Sequence, residues 1–140
     1  MILPINFKHQ ALAAEFAELR TRNPALYAMT AAAALWVWHE YRQHTTVTSI
    51  YRPDDTDSVH AHWRGVDVRV YHPGRWPADP NATIRREEEE GWSEEAAREV
   101  ALWLERAFDY DGSESHDVSI THGEGMNRHV HLQLGPWSTR

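Results

Sequence analysis

Cysteine is absent from the 140 residues, which removes thiol catalysis, Cys-based zinc fingers and any disulfide framework. Any metal site must therefore be built from His, Asp and Glu. Basic residues are scarce beside acidic ones, 14 Lys and Arg against 21 Asp and Glu, for a formal net charge of −7. That deficit argues against a nonspecific grip on nucleic-acid phosphates or anionic lipid. Long apolar runs are missing as well. The greasiest stretch, MTAAAALWVW from Met29 to Trp38, is half of the ~20 residues a membrane span needs, so a buried helix is expected. The opening MILPINFKHQALAAEFAELR lacks the ~7–15-residue apolar segment and cleavage site of a secretory signal, which points to synthesis in the cytoplasm without a cleaved signal. There is no G-x-S-x-G elbow, P-loop, G-x-G-x-x-G or HExxH, so serine-hydrolase, nucleotide-binding and helical zinc-protease signatures are all wanting.

What is present suits one domain over residues 1–140, large enough to fold without a covalent or metal staple. Leu12, Phe16 and Leu19 recur with helical spacing over roughly 8–21. Asn23-Pro24 reads as an N-cap and first-turn proline for a second helix to about Gln43, with Trp36, Trp38 and Tyr41 supplying area. TTVTSIY (Thr45–Tyr51) is β-branched and strand-like, and PDDTDS (Pro53–Ser58) is turn chemistry. GVDVRVY (Gly65–Tyr71) alternates Val66, Val68 and Val70 against Asp67, Arg69 and Tyr71, as a strand with one polar face does. His72–Asn81 reads as a loop and Arg85–Gly91 as a solvated charge run. Ser93 is placed to cap a helix lined by Ala96, Val100, Trp103, Leu104 and Ala107. Asp117–Thr121 and His129–Leu134 alternate again, joined by HGEGMNR. The expected class is α+β, a small antiparallel sheet packed against N-terminal helices and one inserted helix.

Ten histidines are unusual in a chain this short, and those near strands are the informative ones. His9, His39 and His44 fall on expected helices, where surface or capping roles suffice. His129-Val130-His131 lies on an expected strand, which puts both imidazoles on one face ~7 Å apart. By itself that pair is ordinarily a polar, exposed strand face. Its conjunction with His60, Asp67 and Arg52 gives it weight, because two His and one Asp from neighbouring strands supply a tetrahedral zinc site with one corner open.

Ser58-Val-His60-Ala-His-Trp63-Arg-Gly65-Val-Asp67 resembles the S-x-H-x-x-G-x-A-x-D motif of zinc D-alanyl-D-alanine carboxypeptidases and phage L-alanyl-D-glutamate endolysins. The terminal His129-Val130-His131 is similar to the H-x-H of the hedgehog-like and murein endopeptidase branch, and Thr48-Ser-Ile-Tyr51-Arg52 to the family's T-S-G-Y-R strand end. The order holds from about Pro24 to Leu134. The resemblance implies that His60, Asp67 and His131 are zinc ligands and that His129 stands beside the metal. It also implies that Arg52 faces a substrate carboxylate or oxyanion, with Ser58 contributing to substrate binding.

Two positions depart from the pattern. Trp63 stands where the motif has glycine, and Arg128 stands where carboxypeptidase relatives carry Glu or Asp. The general base must then come from elsewhere: Glu124 is the candidate, with His122 as a weaker substitute. Aligning His62 in place of His60 would recover Gly65 but put Arg69 at the aspartate position, so His60 is the better match. Trp92 and Trp137 flank loops and could touch a glycan. The implied function is a zinc peptidase cutting peptidoglycan stem peptides, a phage-encoded lytic enzyme acting on the cell wall after release or as a virion component, with virion proteins as candidate partners. The rival expectation is a non-catalytic structural or binding protein of a phage particle on the same fold.

Overall fold

The computed structural model describes residues 2–54, 58–69, 94–108, 119–122 and 129–133. Five strands and three α-helices are built from them: β1 (Ile5–Phe7), α1 (Gln10–Arg22), α2 (Pro24–Tyr41), β2 (Thr45–Ser49), a 3-10 turn (Val59–His62), β3 (Gly65–Arg69), α3 (Glu94–Ala107), β4 (Ser119–His122) and β5 (His129–Gln133). The sheet order is β1-β2-β3-β5-β4. The class is α+β as expected, but the sheet is mixed where an antiparallel one was expected. β1 runs parallel to β2, with Ile5 opposite Thr45, while the remaining pairs are antiparallel. The cause is connectivity: two helices separate β1 from β2, and a crossover of that length is what a parallel neighbour requires.

Asn23 organises the helical layer. Its backbone N–H donates to Leu19 O at 2.8 Å and ends α1, while its Oδ1 accepts from Leu26 N at 3.2 Å and starts α2. Proline in the first turn of α2 forfeits a bond the helix could not make there. The inner face of α2 is small and smooth, with Leu26, Met29, Ala33, Ala34 and Val37 all buried. Thr30 is buried among them because its hydroxyl donates to Leu26 O at 2.8 Å. The expected tryptophans sit off this face: Trp36 stacks on Trp103 of α3 with centroids 5.5 Å apart, and Trp38 is 39% exposed. α2 ends at Tyr41, with Arg42 in the left-handed region at φ 54°. His44 therefore lies beyond the helix, where its Nδ1 is 3.0 Å from Asn6 Oδ1.

Among the described residues of α3, Ala97, Val100 and Leu104 are buried and Trp103 is partly covered, while the side chain of Ala96 lies outside the described set. Ala107 is exposed, a turn past the core. Together with Leu12, Phe16 and Leu19 of α1 these side chains cover Val47, Val66, Val68, Val130 and Leu132, the apolar face of the sheet. Each fully buried Val or Leu contributes roughly 1.5–3 kcal/mol. None of the described helices is long and apolar enough to cross a membrane.

The opposite face departs from expectation. The alternation in β3 implied one solvated polar face, yet Asp67 and Arg69 are buried along with Val66 and Val68. β2 carries a bulge as well: Val47 opposes Val68 and Ser49 opposes Asp67, with Thr48 as the extra residue. That insertion flips side-chain parity, so Val47 and Ile50, three apart, both reach the core. The expected loop at 72–81, the charge run at 85–91, the Ser93 cap, Tyr71, Trp92, Trp137 and the 123–128 connection lie outside the described residues.

Candidate metal centre

The polar face of the sheet brings together residues that are far apart in the chain. Asp67 of β3 stands in register with His131 of β5, although 64 positions separate them. The 3-10 turn that leads into β3 delivers His60 from the side. The three side chains are buried, and one ligand atom from each lies within 4.8 Å of the others. The His60 and His131 rings meet edge to face with centroids 5.1 Å apart.

Hydrogen bonding decides which nitrogen each ring offers. His60 Nδ1 is 2.9 Å from Ile50 O, and a carbonyl only accepts, so Nδ1 carries the proton. Nε2 is buried, makes no hydrogen bond among the described residues and faces Asp67 Oδ2 at 3.3 Å, and it carries the lone pair whenever the ring is neutral. On His131, Nε2 lies 3.2 Å from Gln133 Oε1 and Nδ1 lies 2.7 Å from Asp67 Oδ1. A carboxylate only accepts, so without a cation Nδ1 donates its proton to Asp67. With Nε2–H held on the Gln133 oxygen, Nδ1 is the nitrogen that would give up its proton to bind one. Both imidazoles are thus anchored through the nitrogen that points away from Asp67, the arrangement that orients ligating histidines.

Two basic nitrogens aimed at one carboxylate need something positive between them, either protons or a cation. Zinc ligands at ~2.0–2.2 Å in tetrahedral geometry sit roughly 3.3 Å or slightly more from one another. His60 Nε2 is 3.3 Å from Asp67 Oδ2, while His131 Nδ1 is 2.7 Å from the other oxygen, Oδ1, so these side chains would have to shift to share an ion. The Asp67 carboxyl feels opposing influences. Burial pushes its pKa up, but the hydrogen bond from His131, the approach of His60 and the charge on both rings outweigh this and hold it well below the usual carboxylate range. It is therefore an anion wherever the fold is intact at neutral pH. A donor set of two imidazoles and one carboxylate, without sulfur, suits a borderline divalent ion.

His129 lies on the same face of β5 as His131, and its Nε2 is 3.7 Å from Asp67 Oδ1. With a quarter of its side chain exposed, it stands at the edge of the buried cluster. Arg52 is half exposed, and its Nη2 lies 3.4 Å from Asp67 Oδ2, so this guanidinium already has an anion beside it. Ser58 does local work: its Oγ accepts from His60 N at 3.1 Å and caps the 3-10 turn. His62 is exposed, in keeping with the choice of His60. Glu124 and Arg128 lie outside the described residues, and His122 is described only as the β4 register partner of His129.

Trp63 has a backbone conformation unusual for its residue type. Its φ is 58°, the left-handed region that glycine enters freely and that costs other residues roughly 1–2 kcal/mol. The position combines a backbone that glycine adopts freely with a tryptophan side chain. Its ring stacks on Tyr51 at 4.5 Å and 8°, with Arg22 over the ring at 5.7 Å.

Sequence reasoning missed Gln133, the Ile50 carbonyl and Tyr51. Extending the alternation to H-x-H-x-Q would have placed Gln133 on the site face; nothing in the sequence signals a backbone carbonyl. No family model, curated protein or solved structure matches the chain.

Proposed function

We propose that the chain is a zinc-dependent peptidase that hydrolyses short peptide bonds in peptidoglycan stem peptides, a lytic enzyme of the phage type. The observation that carries this reading is the buried His60 Nε2, which makes no hydrogen bond among the described residues and has a carboxylate and a second imidazole facing it. The motif order supports it, and so does the glycine-like backbone at Trp63.

In this reading His60, Asp67 and His131 hold the ion. Zinc, when bound, supplies Lewis acidity toward a scissile carbonyl and lowers the pKa of a water molecule. The chain's own residues do the rest. The Ile50 carbonyl and Gln133 hold the two rings in the ligating tautomer. His129, at the edge of the cluster, holds or passes a proton at Nε2. The exposed side of the Arg52 guanidinium pairs with a substrate carboxylate or the developing oxyanion, which a fixed cation favours over neutral competitors. Glu124 is the proposed proton acceptor.

The test is elemental analysis of chain purified without added metal, followed by muropeptide digestion. About one zinc per chain, cleavage of a stem-peptide bond, and loss of both in His131→Ala are expected. Zinc affinity should fall by more than the ~10–100-fold typical of losing an outer-shell partner. Iron in place of zinc would redirect the assignment, since two His and one carboxylate also serve non-haem iron. A zinc-loaded chain that cleaves no muropeptide would leave metal binding standing and remove the peptidase.

A second reading has an observation of its own. Asp67 is within ion-pair distance of His60, His129, His131 and Arg52, so the cluster can be neutralised internally. A non-catalytic structural or binding protein of a phage particle would use it as a buried polar brace, and would take up no metal.

A further inference from the structure

Three consecutive residues past the β2 bulge grip the 3-10 turn at different points. Ile50 O accepts the His60 Nδ1–H at 2.9 Å, the Tyr51 ring stacks on Trp63, and Arg52 N donates to His60 O at 3.2 Å. Tyr51 is itself tied to α1, because its N–H donates to Glu15 Oε1 at 2.9 Å. Trp63 is held from the helical side as well, since Asn23 Nδ2 donates to its carbonyl at 3.0 Å and Arg22 lies over its ring. The aromatic stack adds a side-chain tie between the end of the turn and this strand end, beside the two hydrogen bonds that His60 itself makes to it. A glycine at position 63 could adopt φ 58° at no cost, but it would leave that tie unmade.

We propose that Trp63 is a positioning residue for the metal centre: stacked on Tyr51, it locks the turn so that His60 Nδ1–H stays on the Ile50 carbonyl and Nε2 stays aimed at Asp67. The inference rests on the metal-binding reading above and adds to it the residue that holds the ligand in place. The ring thus carries an orienting function at a corner where the backbone alone would be satisfied by glycine.

The full chain and its Trp63→Gly, Trp63→Phe and Tyr51→Leu variants test this, with two readouts. The first is zinc affinity measured against a chromophoric chelator. Trp63→Gly suits the backbone and removes the stack, and is expected to lose about 10- to 100-fold, the range for outer-shell partners. Tyr51→Leu, with Trp63 untouched, should lose a similar factor, and Trp63→Phe should recover affinity to within roughly threefold of wild type by restoring an aromatic partner. The second readout is the His60 imidazole resonance without metal, in which wild type should display a slowly exchanging Nδ1 proton that Trp63→Gly and Tyr51→Leu lose. Unchanged affinity and an unchanged Nδ1 proton in Trp63→Gly would overturn the proposal. If Trp63→Gly does not fold, Tyr51→Leu decides by the same two criteria. A wild-type chain that takes up no zinc would sink the metal reading separately, and the Nδ1 proton would then decide the positioning role.

Discussion

Asp67 is the residue on which the polar face of the sheet turns. Its carboxylate is buried, yet four cationic or potentially cationic side chains lie within 4 Å of it, and their attraction outweighs the cost of desolvation. A carboxyl depressed in the fold and ordinary in the unfolded chain stabilises the fold above the unfolded pKa of ~3.9, and that stabilisation is lost as pH falls toward the folded value. In the metal-free chain, wild type should therefore exceed Asp67→Asn in stability at pH 6, and the gap should close progressively below about pH 4. Urea unfolding across pH in the presence of chelator measures it. Curves that run parallel down to pH 2 would show that the carboxylate gains nothing from its neighbours. His60, Asp67 and His131 were legible in the sequence because two imidazoles and a carboxylate on or beside neighbouring expected strands make a metal-ligand set. The alternation H-x-H-x-Q would have reached Gln133, but the Ile50 carbonyl and the stacking partner of Tyr51 were illegible, since they depend on where neighbouring segments meet.

At the scale of the element, the link between the helices and the turn is Asn23. One side chain caps α2 through Oδ1 and holds the Trp63 carbonyl through Nδ2. Asn23→Ala should cost about 1–2 kcal/mol by denaturant unfolding, the upper part of the range for a lost cap. Asn23→Asp separates the two roles, because it keeps the capping oxygen and loses the amide donor; it should recover most of the stability of the helix start. If Asn23→Asp is as unstable as Asn23→Ala, the cap is not what matters at this position. The β2 bulge shows the limit of pattern reading. TTVTSIY announces a strand through its β-branched residues, but a two-residue period cannot bury both Val47 and Ile50, and only pairing with β3 reveals the extra residue between them. β1 escaped notice for a related reason. Three residues carry too little periodicity, and its strand identity comes from the partner it finds in β2, with Thr45 N donating to Pro4 O and Lys8 N to Val47 O.

For the molecule as a whole, a buried ligand set formed only on folding couples metal binding to stability. An ion that binds the folded chain at 100 times its dissociation constant adds about 2.7 kcal/mol, which for a domain of this size raises Tm by roughly 5–10 °C. Scanning calorimetry with and without chelator should show that shift in wild type and none in His60→Ala. Equal Tm values in wild type would favour the internally neutralised cluster. The sequence by itself determined the two helical patterns, the strands around GVDVR and HVHLQ, the need for a non-cysteine site and the candidate ligands, because these follow from side-chain type and local period. Tertiary structure decided that β5 lies between β3 and β4, that β1 runs parallel, and that the polar face of β3 is buried. The physical reason is that register and layering come from contacts between segments dozens of residues apart, whose free energy no local window contains.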